Sequence, residues 1–161
     1  MPVQNRHRSI QTYETPKDLL DAIKMQWEIE AFDVDLAAQD AASSKGLEFI
    51  SPEQDSLATP WPFGADLWLN PPFKNITPWV RKAAEWHRDP GQFYGGLLLM
   101  LLPAAVGSNW YRDHVEPHAR VHVLNPRITY VGHTDPYPKD CMLIELGVGV
   151  ELPSFQTWRW K

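Results

Sequence analysis

Asp66-Leu67-Trp68-Leu69-Asn70-Pro71-Pro72-Phe73 decides how the rest of this chain is read. Its first half is short and apolar, as a buried strand requires. Its second half cannot extend a ladder, because Pro71 and Pro72 remove two backbone donors and fix two φ angles. The strand therefore ends in a stiff loop with Asn70 and Phe73 at its two ends. Thr77-Pro78-Trp79 follows and reads as an N-cap with proline in the first helical position. In α/β sheets, a strand that feeds a rigid loop and then a helix is where ligands sit, at the carboxyl end of the strand.

The loop residues carry chemistry. The Asn70 side-chain oxygen and the Pro71 carbonyl can both accept hydrogen bonds from one exocyclic amino group. Phe73 offers a flat face to the ring that bears it. Proline stiffness limits the spread of these acceptors, and positioning is most of what transfer to such an amine needs. Asn-Pro-Pro-Phe at a strand end is similar to the Asn/Asp-Pro-Pro-Tyr/Phe motif of amino-methyltransferases that use S-adenosylmethionine.

With 161 residues, of which 43% are hydrophobic, the chain is expected to form one domain with a real core. That domain is expected over 12–150, between a segment 1–11 without periodicity and a basic-aromatic tail 151–161 that ends Trp158-Arg159-Trp160-Lys161. No apolar run approaches the ~20 residues that span a membrane. Arg6-His7-Arg8 has no apolar core after it, so the start does not read as a signal peptide. The single cysteine, Cys141, excludes an internal disulfide and fits a reducing compartment. His114 and His118 stand four apart, but Pro117 breaks the helix that would align them, and no metal is expected. There is no nucleophile elbow and no phosphate-cradling Gly-rich loop with lysine. The net charge of −5 weighs against a nucleic-acid partner only weakly, because a local basic face is what meets phosphate.

Along the chain, Thr15-Pro16-Lys17-Asp18 opens a helix, with Thr15 as cap and Leu20, Ile23 and Trp27 as its inner stripe. Phe32, Val34 and Leu36 alternate with acids in a short strand ending at Asp35, where Ala37 and Ala38 leave room for a ligand to approach. Residues 39–65 are irregular and turn-rich. Among their acids, Asp55 is the expected ribose or adenine partner. The helix from Thr77 runs to about His87, with Val80, Ala83 and Ala84 inward and Arg81 and Lys82 outward. Gly96 to Pro103 is a continuous apolar run, hence a central strand covered on both faces. A short helix is expected over 109–115 and strands over 119–124, 127–131 and 141–146, the last two paired as an antiparallel edge.

Tyr13-Glu14-Thr15-Pro16, Asp35-Leu36-Ala37-Ala38, Asn70-Pro71-Pro72-Phe73 and Leu102-Pro103-Ala104 occur in an order that resembles the phage and prophage DNA adenine methyltransferases of the Dam-like family. Asn125-Pro126-Arg127-Ile128 sits where that family has a Gly-Arg-hydrophobic strand start. The resemblance covers roughly residues 12–147. It implies a class I S-adenosylmethionine-dependent methyltransferase fold: α/β, Rossmann-like, with a seven-stranded, mostly parallel sheet and an antiparallel last strand. Only 35 residues separate Asp35 from Asn70, so the cofactor half of the sheet must be shortened.

By the same resemblance Tyr13, Thr15, Pro16, Asp35, Ala37, Ala38 and Asn70 hold S-adenosylmethionine, with Asp55 added from the residue reading. Asn70, Pro71, Pro72 and Phe73 are the catalytic set. Lys74, Arg112, Arg127 and Lys139 are the expected contacts to double-stranded DNA. The implied setting is the cytoplasm of a bacterial host, with the protein phage- or prophage-encoded and acting as a monomer or homodimer. Two other readings share the loop or the fold. Glutamine-amide methylation of proteins is disfavoured by the missing Gly-rich cofactor loop and the missing N-terminal helical domain. A non-catalytic DNA-binding protein is disfavoured by the intact Asn70 and Phe73.

Overall fold

The computed structural model describes residues 13–161. The segment 1–11, and with it the start of the expected domain at 12, lies outside the described residues. Seven strands form one sheet: β1 Phe32–Asp35, β2 Gly46–Phe49, β3 Asp66–Leu69, β4 Leu97–Pro103, β5 Arg120–Asn125, β6 Cys141–Gly147 and β7 Ser154–Arg159. Their spatial order is β2-β1-β3-β4-β6-β5-β7. Only β6 runs against its neighbours, pairing antiparallel with β4 and β5; all other pairs are parallel. The mostly parallel α/β sheet is as expected, and its antiparallel member is the penultimate strand of the chain.

β4 shows why the apolar run of the sequence is unbroken. Successive side chains of a strand alternate between faces. Leu98, Met100 and Leu102 pack on one side with Val80, Ala83 and Trp86 of helix α2, Thr77–Arg88. Leu99 and Leu101 pack on the other side with Leu19, Leu20 and Ile23 of helix α1, Lys17–Gln26. A strand sandwiched between two helices has no polar face, so period-2 alternation vanishes from its sequence.

Several local expectations give way to tertiary contacts. Thr15 is not a cap: α1 is preceded by Pro16, with no side-chain cap bond, and the Thr15 hydroxyl is engaged elsewhere. Thr77 lies inside α2, which Ile76 precedes in helical conformation. Lys82 does not face outward; its ammonium donates to the carbonyls of Ser56, Leu57 and Thr59. Residues 127–131 form no strand. Ile128 and Tyr130 are buried between exposed neighbours, yet the segment is tied by isolated bonds and not by a ladder, among them Tyr137 N to Ile128 O (2.7 Å) and Val131 N to Glu14 O (3.2 Å). The alternation there records burial of an extended loop without a ladder. β6 is consequently not an edge; it lies between β4 and β5.

Two strands occupy stretches read as irregular or as tail. β2 sits against β1 because Gly46 has no side chain: a Cβ there would stand 2.4 Å from the Asp35 backbone nitrogen. β7 pairs with β5 over six registered positions. Its end is tied down by Trp160 Nε1 donating to Pro126 O (2.7 Å) and by the Lys161–Asp18 ion pair (2.8 Å). The first helix is joined to the far half of the sheet by Trp27, whose indole N–H donates to buried Glu145 of β6 (2.9 Å).

Leu101→Ala should cost about 2–5 kcal/mol, since its site, fully buried between β6 and the α1 layer, cannot collapse around a smaller side chain. Urea unfolding of the two chains, read as a shift in midpoint, measures it.

Candidate active site

The carboxyl ends of β1, β3, β4 and β5 lie along one edge of the sheet, since these strands run in the same direction. β1 connects outward to β2, whereas β3 connects the other way to β4. The loops after β1 and β3 therefore part, and a crevice opens between them, as at the switch point of other open α/β sheets. A cavity of about 260 Å³ occupies that crevice. Asn70, Pro71, Pro72 and Phe73 line it from β3, and Asp35, Ala37 and Ala38 line it from β1. Tyr13 and Thr15 close it from the segment ahead of α1, and exposed Asp55 stands at its rim. Of the residues singled out for this site, Pro16 alone does not line it; its carbonyl accepts from Leu20 N at 3.2 Å and begins α1.

The orientation of Asn70 is fixed by chemistry. Its Nδ2 donates to the Tyr13 carbonyl at 2.8 Å and to the Thr15 hydroxyl at 3.1 Å. A carbonyl oxygen can only accept, so the amide nitrogen must face it. Oδ1 then points away from the 13–15 segment, and among the described residues it takes no hydrogen bond. Phe73 is half-buried and stacks on Tyr13, with centroids 6.0 Å apart and planes 21° apart. The site thus offers an unused amide oxygen, a proline-fixed backbone and an aromatic ring beside one another.

Asp35 has a role that its position alone did not disclose. Its carboxylate accepts from the backbone N–H of Ala37 (3.1 Å) and of Lys45 (2.9 Å). It therefore clamps both ends of the 36–45 loop over the cavity. Burial raises its pKa above the usual carboxylate range, outweighing these two donors and the Lys45 ammonium. Glu14 and Lys45 form an ion pair of 2.6 Å that ties the 13–15 segment to the same loop. On the opposite wall, Lys82 of α2 braces the turn bearing Ser56, and the Trp61 indole N–H also donates there, to Ser56 O and Oγ (3.0 Å each).

Sequence reading missed Glu14, Ser43, Lys45, Ile50 and Trp79 as lining residues. Trp79 carried a signal, lying in the first turn of the helix that follows the Asn-Pro-Pro-Phe loop. Lys45 carried none, since its partners are 10 and 31 residues away. The four basic residues expected at nucleic acid are all exposed. Arg112 pairs with Asp113 (2.7 Å) and Arg127 with Asp140 (2.9 Å), while Lys74 and Lys139 have no ion pair among the described residues. Also among the described residues, no three His, Cys, Asp or Glu side chains gather as metal ligands. No described helix is long and apolar enough to cross a membrane.

A profile of the family described as DNA N-6-adenine-methyltransferase (Dam) matches residues 4–140. A curated relative, the DNA N-6-adenine-methyltransferase of Haemophilus phage HP1 (strain HP1c1), is 30% identical over 120 residues. The match covers 70% of this chain and 65% of that relative, so the chain spans just under two thirds of the relative's length.

Asp35→Asn should destabilise the protein by about 1–3 kcal/mol, because an amide nitrogen would then face a backbone N–H that needs an acceptor. Hydrogen exchange at the Ala37 and Lys45 amides should accelerate in the variant more than exchange in β4.

Proposed function

The chain belongs to the DNA N-6-adenine-methyltransferase family, and on that premise we propose that it moves a methyl group from S-adenosylmethionine to the exocyclic amine of adenine in double-stranded DNA. The observation that carries this reading is the Asn70 amide, anchored through its nitrogen so that its oxygen is presented to the cavity.

The cavity fits S-adenosylmethionine by its donor set. Carboxylates of Glu14 and Asp55 suit ribose hydroxyls and an amino acid's ammonium, while Ile50, Trp68 and Trp79 supply apolar walls for a purine. Its one lysine, Lys45, is paired with Glu14, so nothing here favours a polyphosphate. Thr15, Asp35, Ala37 and Ala38 form the floor beside Asn70. When bound, S-adenosylmethionine supplies an electrophilic methyl group on a sulfonium that departs as a neutral thioether.

The chain's own contribution is geometric and electrostatic. The target adenine leaves the duplex, at a cost of a few kcal/mol, and stacks on Phe73. Asn70 Oδ1 and the Pro71 carbonyl accept its two amino hydrogens. Those bonds draw the nitrogen toward tetrahedral geometry and turn its lone pair out of the ring's conjugation, into the cavity. Fixed dipoles that need no reorganisation are worth most in such a recess. The amine sheds its proton only after methylation has made it cationic, so no strong general base is required. Lys74 and Lys139 meet phosphate directly, and Arg112 and Arg127 exchange their carboxylate partners for it; both pairs are solvent-exposed and cheap to open. The setting that goes with this reading is the cytoplasm of a phage-infected or lysogenic bacterium.

Asn70→Ala should lower kcat at least about 10²-fold on adenine-containing DNA with labelled S-adenosylmethionine. Cofactor affinity by calorimetry should change less than tenfold, since the rest of the cavity remains. Full-rate transfer by the variant, or label entering glutamine peptides and not DNA, overturns the reading.

A further inference from the structure

A second cavity, of about 390 Å³, lies under the loop after β5. It shares one wall with the first: the Tyr13 ring lines both. That ring is near-parallel to Phe73 on the catalytic side and to His133 on this side, with His133 5.7 Å away and tilted 24°. Tyr137 meets Tyr13 edge-on at 5.3 Å and lies 6.3 Å from Phe73, so it bridges the two compartments. The loop is preformed. His133 N donates to Tyr130 O (3.0 Å) and Tyr137 N donates to Ile128 O (2.7 Å).

Beside the His133 imidazole and the tyrosine hydroxyls, the polar lining of this second cavity is Thr134 and Asp135, both exposed, and among the described residues Asp135 has no hydrogen-bond or ion-pair partner. An ionised carboxylate can only accept. Lying between Arg127 and Lys139 in sequence, on the loop that the proposed function turns toward DNA, it repels phosphate and attracts an N–H donor. Cytosine, adenine and guanine each offer an exocyclic amine to a carboxylate, and thymine has none. The aromatic walls suit the flat faces of the same ring. Two recesses that share a single ring as partition suit two neighbouring nucleotides of one strand.

Building on the reading of the first cavity as the target-adenine site, we propose that the second is a reading site for the nucleotide next to the target. In it Tyr13 and His133 form the stacking wall and Asp135 accepts from the exocyclic amine of the flanking base. Asp135 is then a specificity-determining residue that touches neither the methyl donor nor the target amine.

The test uses the full chain on a duplex library in which the positions flanking adenine are randomised, with methylated products read by modification-sensitive sequencing. The wild-type chain should disfavour thymine, which alone lacks an exocyclic amine, at one flanking position; which of the other three it prefers identifies the amine read. Asp135→Ala should reduce that preference about tenfold at that position alone, with S-adenosylmethionine affinity unchanged. Asp135→Asn, which keeps an acceptor oxygen, should retain part of it. An unchanged preference in Asp135→Ala overturns the inference, and so does a uniform loss of rate over all flanking sequences, since that would mark a structural or phosphate-related role. Wild-type protein that methylates no adenine at all overturns the underlying reading as well, so the two failures are distinguishable.

Discussion

The pair of bonds from Asn70 Nδ2 to the Tyr13 carbonyl and the Thr15 hydroxyl is the constraint on which this site depends. It joins the end of a central strand to a segment more than fifty residues earlier, and it does two things at once. It holds the 13–15 segment across the crevice, and it leaves the amide oxygen as the unspent half of the group. Neither result follows from asparagine alone, because a freely rotating amide presents nitrogen and oxygen equally. The direction is imposed by a partner that cannot donate.

The rest of the sheet serves to keep that corner still. β3 and β4 are buried on both faces by one helix each, which fixes the height at which their loops emerge. The loops that converge on the crevice are braced by side chains that bond to backbone. Asp35 clamps residues 36–45, and Lys82 pins the turn at Ser56. Both commit a charged group to backbone hydrogen bonds, an arrangement that costs desolvation and is offset by the order it imposes.

What could be read in the sequence was what depends on local pattern. The apolar run of β4, the strand ahead of Asn70-Pro71-Pro72-Phe73, and the periodic stripes of both helices needed no partner to be recognised. Tyr13, Thr15, Asp35, Ala37, Ala38 and the loop do meet in one cavity, as the motifs implied. What failed depends on distant contacts. Thr15 and Thr77 look like helix caps, yet capping is only one use of a hydroxyl, and Asn70 claims that of Thr15. β2 is a four-residue edge strand whose signal is a glycine required by close approach, not a hydrophobic pattern. β7 is exposed along nearly its whole length and so lacks the alternation that marks a half-buried strand. Residues 127–131 have that alternation and no ladder.

The position of β6 has a consequence for how the protein comes into being on the ribosome. Residues 141–147 lie between β4 and β5, and their Glu145 holds the indole of Trp27 from the first helix. Everything synthesised earlier must wait, with two unsatisfied strand edges exposed, until this late segment leaves the exit tunnel. Nascent chains of this architecture therefore stay vulnerable to chaperones, proteases and one another until residues 141–147 have emerged.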